Sequence, residues 1–282
     1  MANRKRHIAK PNDPKSTLLI AELLKKTTYV IDVFKSESDY EETKVHKSGS
    51  GVAITPTGDL ITAAHVLGIK PENRTGKEII VARTEELQPL AYSIVLNGIT
   101  IDMPILRAPL KVDLAYLRPN FPRKDAPFVK IKKEFSPIGT PVLMAGYPDE
   151  VEPPLSFDSH INYNLPTLID PEHETAKKMH MMRQQLMIKS GMLGYAQPAS
   201  FNLTDGPPFT LAAYYVDNGM HPGASGGPVI NMQGELIATI TQRALTTTVF
   251  SEELLPSGST LAISSSAIIK FLELQGFKPL IT

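Results

Sequence analysis

Two segments constrain this chain more than any other feature. One is a serine set among glycines, His221-Pro222-Gly223-Ala224-Ser225-Gly226-Gly227-Pro228, and the other is a histidine far upstream, in Thr62-Ala63-Ala64-His65. They make chemistry together only if the fold brings these distant segments to one point. A serine hydroxyl is a weak nucleophile at neutral pH, so it needs a base to take its proton and backbone N–H donors to hold the oxyanion that forms. The glycines around Ser225 suit both needs: the chain can turn tightly there, and the Gly223 and Ser225 amides can converge on an oxyanion hole. A carboxylate should fix the histidine tautomer and stabilise the imidazolium. Val112-Asp113-Leu114-Ala115-Tyr116-Leu117 offers Asp113 at the mouth of an apolar strand.

Five stretches, in order, resemble one family. They are Ser48-Gly49-Ser50-Gly51-Val52-Ala53-Ile54, Gly58-Asp59-Leu60-Ile61-Thr62-Ala63-Ala64-His65-Val66, the Asp113 segment, Gly223-Ala224-Ser225-Gly226-Gly227-Pro228-Val229-Ile230, and Gly234-Glu235-Leu236-Ile237-Ala238. The chain is similar to the chymotrypsin-fold serine peptidases of the trypsin-like group that includes the HtrA/Deg proteases. The order His65, Asp113, Ser225 is that of chymotrypsin-type enzymes and not that of the subtilisin or α/β-hydrolase types. The resemblance covers residues 28–150 and 211–275. It implies an all-β fold of two six-stranded antiparallel barrels and a serine endopeptidase acting through an acyl-enzyme.

By the same resemblance Gly219, six before Ser225, lies at the base of the pocket for the residue preceding the scissile bond, with Ala238, Thr239 and Ile240 as its walls. No acid stands at Gly219, so an apolar side chain is expected in that pocket, although Asp217 is only two positions away. No PDZ module fits the short helical tail before Thr282, and no Ile-Val-Gly-Gly-like start is present. The alternative reading is a catalytically silent or partner-activated peptide-binding module on the same fold.

Composition narrows the rest. Twenty-nine basic residues against 29 acidic ones give zero net charge, which removes the electrostatic argument for a nucleic-acid partner. The chain has no cysteine, which excludes disulfides and thiolate-bound metals and suits a reducing compartment. The apolar run Leu18-Leu19-Ile20-Ala21 is stopped at once by Glu22, short of a signal-peptide core. A cytoplasmic protein with no membrane association is expected. His173 and His180 lack companions at ligand spacing, so no metal and no cofactor are expected.

Along the chain, residues 1–27 read as a polar arm and a short helix, 28–125 as the first barrel, and 126–282 as the second, with prolines between 119 and 137 marking the join. Asp113 is expected on a loop between late strands of the first barrel. Residues 149–208 read as an insertion carrying a helix over 172–189. The methionines of that helix, Met179, Met181, Met182 and Met187, make it a candidate surface for a protein partner. The substrate itself is expected to be a protein or peptide.

Overall fold

Short runs rich in β-branched and aromatic residues, separated by glycine and proline, pair into two closed barrels in the computed structural model, which describes residues 14–68, 75–101, 110–148, 185–201, 209–248, 251–273 and 276–282. The first barrel contains β1 (Thr28–Phe34), β2 (Lys47–Ala53), β3 (Leu60–Thr62), β4 (Ile79–Arg83), β5 (Leu90–Ile101) and β6 (Leu110–Pro119). They close in the order β1-β2-β3-β6-β5-β4. The second contains β7 (Pro141–Gly146), β8 (Met187–Phe201), β9 (Phe209–Val216), β10 (Pro228–Asn231), β11 (Leu236–Thr248) and β12 (Ser251–Ser264), closed as β10-β11-β12-β9-β8-β7. Neighbouring strands are antiparallel throughout both barrels, so each sheet closes on itself.

Each barrel fills its interior with its own side chains. Tyr29, Ile31, Leu60 and Leu117 belong to the first core, and Met144, Val216, Val229 and Ile237 to the second. A third apolar cluster lies between the barrels and joins Val52, Ile61 and Leu114 to Leu143, Ile230 and Leu236. Two helices seal it. The first, α1 (Pro14–Thr27), begins on a proline whose missing N–H costs nothing there, and buries Ile20 and Leu24. A five-residue helix, α2 (Glu37–Glu41), is capped by the Ser36 hydroxyl, and α3 (Ser265–Glu273) buries Ile268, Phe271 and Leu272 on one face.

The proline-rich join laces the barrels together. Val129 N–H donates to Ala53 O at 3.0 Å in the first barrel, Lys132 N–H donates to Leu236 O at 2.9 Å in the second, and Ile131 between them is fully buried.

Two sequence expectations need correction. Residues 187–189 are not the end of a helix but the start of β8, and 187–201 are a barrel strand rather than inserted chain. Met187, Ile188 and Lys189 pair with Gly146, Ala145 and Met144, so the ladder overrides the helical spacing of the apolar residues. The remainder of the expected helix, with His173, His180 and the other methionines, lies outside the described residues. Asp113 likewise sits within β6 and not on a loop. Among the described residues no helix is long and apolar enough to cross a membrane, and no group of three potential ligands could hold a metal ion.

Candidate active site

His65 and Asp113 come from the first barrel, and Ser225 comes from the turn before β10 in the second. All three line one cleft of about 450 Å³. His65 lies in a 3₁₀ turn over residues 64–67, directly after β3. Because β3 pairs with β6 as Thr62↔Ala115, the end of β3 faces Asp113 two residues earlier in β6. The carboxylate takes two bonds from the histidine: Nδ1 lies 2.7 Å from Oδ2, and the His65 backbone N–H donates to Oδ1 at 2.9 Å. The second bond ties the turn to the strand and fixes the ring beside the carboxylate in the cleft.

Thr241 in β11 completes the carboxylate's surroundings by donating its hydroxyl to Asp113 Oδ2. Burial on its own would raise the Asp113 pKa, but the hydrogen bonds from His65 and Thr241 and the nearby imidazole outweigh it and hold the carboxyl below the usual carboxylate range. Asp113 is therefore an anion at neutral pH, suited to orient and stabilise a charged imidazole. The same Thr241 accepts the Ser225 hydroxyl on its backbone carbonyl at 2.9 Å. The nucleophile candidate thus rests on β11 and has to turn from that carbonyl to meet the histidine.

The turn carrying Ser225 is held from the first barrel by one side chain. Ser50 in β2 is fully buried; its hydroxyl donates to Gly223 O at 2.8 Å and accepts from Tyr147 N–H at 2.8 Å, while its own N–H donates to Ser225 O at 2.8 Å. With both carbonyls drawn toward β2, the Gly223 and Ser225 N–H groups are left without an acceptor among the described residues. Gly223 has φ +85° after Pro222, and the Ala224 N–H closes the turn onto His221 O at 3.2 Å; this is the conformation in which glycine at the third position costs least. Gly226, at φ +86°, passes so close to the first barrel that an added Cβ would lie 2.0 Å from Ser50 O and 2.2 Å from Thr62 Oγ1.

Of the four residues expected to form the specificity pocket, Ile240 lines the cleft. Ala238 and Thr239 are buried and do not line it, and Gly219 immediately precedes the lining residues Met220 and His221 in the chain. Thr241, Gln242 and Arg243, the next three residues of β11, line the cleft as well. Thr241 and Ser50 escaped the sequence reading as functional residues because their roles depend on which strand lies opposite. The apolar preference read from Gly219 likewise considered only a missing acid, whereas the Lys189 ammonium arrives from β8 to bond Gly219 O at 2.7 Å.

Residues 49–238 match the family model described as a trypsin-like peptidase domain. Among the solved structures that share the fold are two of the Rv3671c protease from M. tuberculosis. The active form has 16% sequence identity and a TM-score of 0.55, with 96% of this chain and 89% of that chain covered. The inactive form of the H37Rv protein, with its serine changed to alanine, has 16% identity and a TM-score of 0.53, with 95% of each chain covered. A search of curated protein sequences returned no match.

Proposed function

The chain belongs to the trypsin-like peptidase family, and from that premise we propose that it is a serine endopeptidase in which His65, Asp113 and Ser225 form the catalytic triad. The observation that carries this reading is the meeting of the three side chains in one cleft across the barrel junction, with the His65–Asp113 bond already made at 2.7 Å. In the proposed reaction His65 takes the Ser225 proton as the hydroxyl attacks a peptide carbonyl. The Gly223 and Ser225 N–H groups receive the oxyanion, and Asp113 holds the imidazolium in place. His65 then protonates the leaving amine, and water releases the acyl group. The absence of cysteine supports a reducing, cytoplasmic setting for this work.

One observation favours a second, partner-activated reading: the Ser225 hydroxyl rests on Thr241 O and not on His65. The cost of leaving that carbonyl is one neutral hydrogen bond, on the order of 1 kcal/mol, which substrate binding readily supplies. We therefore take the arrangement as the resting state of a competent enzyme. Hydrolysis of casein and of short peptide p-nitroanilides by the purified protein, beside Ser225→Ala and His65→Ala, tests the proposal. Turnover in the wild type and its loss in both variants are expected, and equal turnover in all three would refute it.

A further inference from the structure

A peptide whose carbonyl sits at Ser225 would place the side chain of that residue in the cleft that Ser225 lines, and Arg243 lines the same cleft. Met220 and Ile240, each 2% exposed, give it an apolar flank that accepts an aliphatic stem. Beyond them two cations from different strands converge on the backbone of Gly219. Lys189 of β8 donates to Gly219 O at 2.7 Å, and Arg243 of β11 has its Nε 3.6 Å from the point where a Gly219 Cβ would stand. The Arg243 Nε donates to Ser257 O at 3.0 Å, which leaves the other guanidinium N–H groups of this cleft-lining residue available.

Among the described residues neither cation has a carboxylate within 4.0 Å. The acid nearest Gly219 in sequence, Asp217, accepts the Met192 N–H at 2.7 Å. Burial and the charges of Lys189 and Arg243 together push the His221 imidazole down from its ordinary range, with no acid acting against them. In a chain of zero net charge this is a local excess of positive charge with donors to spare, since an ammonium has three and a guanidinium five.

We propose that this cleft selects an acidic side chain, so that the enzyme cuts after glutamate or aspartate, with Lys189 and Arg243 as the residues that determine the preference. This rests on the peptidase reading above. The stem of the acid lies on Met220 and Ile240, and its carboxylate reaches the unspent donors of Arg243 and Lys189, where charge-assisted bonds are strongest. A substrate arginine or lysine would meet like charge at the same place, and a leucine would offer neither cation a counter-charge.

The test separates this assignment from catalysis by using full-length Ser225→Ala protein. Calorimetry measures binding of N-acetyl-Ala-Ala-Glu, N-acetyl-Ala-Ala-Leu and N-acetyl-Ala-Ala-Arg, which differ only in the last side chain. The Glu peptide should bind at least tenfold more tightly than either other, and adding Lys189→Met or Arg243→Met should weaken Glu binding about tenfold while leaving Leu binding unchanged. Equal or tighter binding of the Leu or Arg peptide, no binding of any of the three, or a Glu preference that survives both substitutions would overturn the proposal. Loss of turnover in the wild type with the Glu preference intact in Ser225→Ala would overturn the peptidase reading alone. Cleavage after Leu in place of Glu would overturn the pocket assignment alone.

Discussion

Thr241 couples two members of the site, since its hydroxyl holds Asp113 and its carbonyl holds the resting Ser225 hydroxyl. Only the first contact depends on the side chain. Thr241→Val should therefore lower kcat/KM about tenfold and stability by about 1–2 kcal/mol, as expected for a hydrogen bond to a charged group, while Thr241→Ser restores both. Steady-state kinetics and urea unfolding read the two effects. The Asp113 carboxyl, held below its usual range when folded, contributes stability that is present above the unfolded value, about 3.9, and is lost as pH falls through the folded one. The stability difference between wild type and Asp113→Asn should accordingly shrink as pH is lowered below about 4 and stay level above about 5. A difference that grows on acidification would reverse the sign of this account. At Gly226 the positive φ and the near contact with Ser50 O act together, and Gly226→Ala should cost on the order of 3 kcal/mol, visible as a lowered Tm. The residues legible from sequence, His65, Asp113 and Ser225, all stand in local motifs that chemistry explains without knowing the neighbours. Ser50, Thr241 and Lys189 act through strands that lie far away in the chain, and no local pattern marks them.

Strand register explains both what the sequence made readable and what it hid at the level of elements. The runs at β1, β3, β4 and β7 are short, β-branched and bounded by turn residues, so period and punctuation agree. In β8 they disagree. The apolar spacing around Met187 suits a helix, but residues 187–192 pair with β7 and residues 193–201 with β9. The helix α1 is the converse case, where local pattern and packing coincide and Leu24 is fully buried between the barrels. Leu24→Ala should cost about 2–5 kcal/mol in a urea titration with an unchanged slope, whereas Leu19→Ala, on the exposed face of the same helix, should stay within about 0.5 kcal/mol.

The two barrels are joined at molecular scale by a shared apolar cluster, by the join through Ile131, and by the Ser50 clamp on the Ser225 turn. The proposed active site exists only across that junction, because its proposed base, His65, and proposed nucleophile, Ser225, belong to different barrels. Unfolding should be a single calorimetric transition, with peptidase activity disappearing in the same transition; two resolved peaks would mean that the barrels are stable separately. The claim on which everything else depends is that Ser225 is a nucleophile activated by His65. Intact-mass measurement after labelling with a fluorophosphonate, on the wild type beside Ser225→Ala and His65→Ala, tests it most directly. One adduct on the wild type and none on either variant is the predicted result. An unlabelled wild type, or an adduct that persists in Ser225→Ala, would contradict the account.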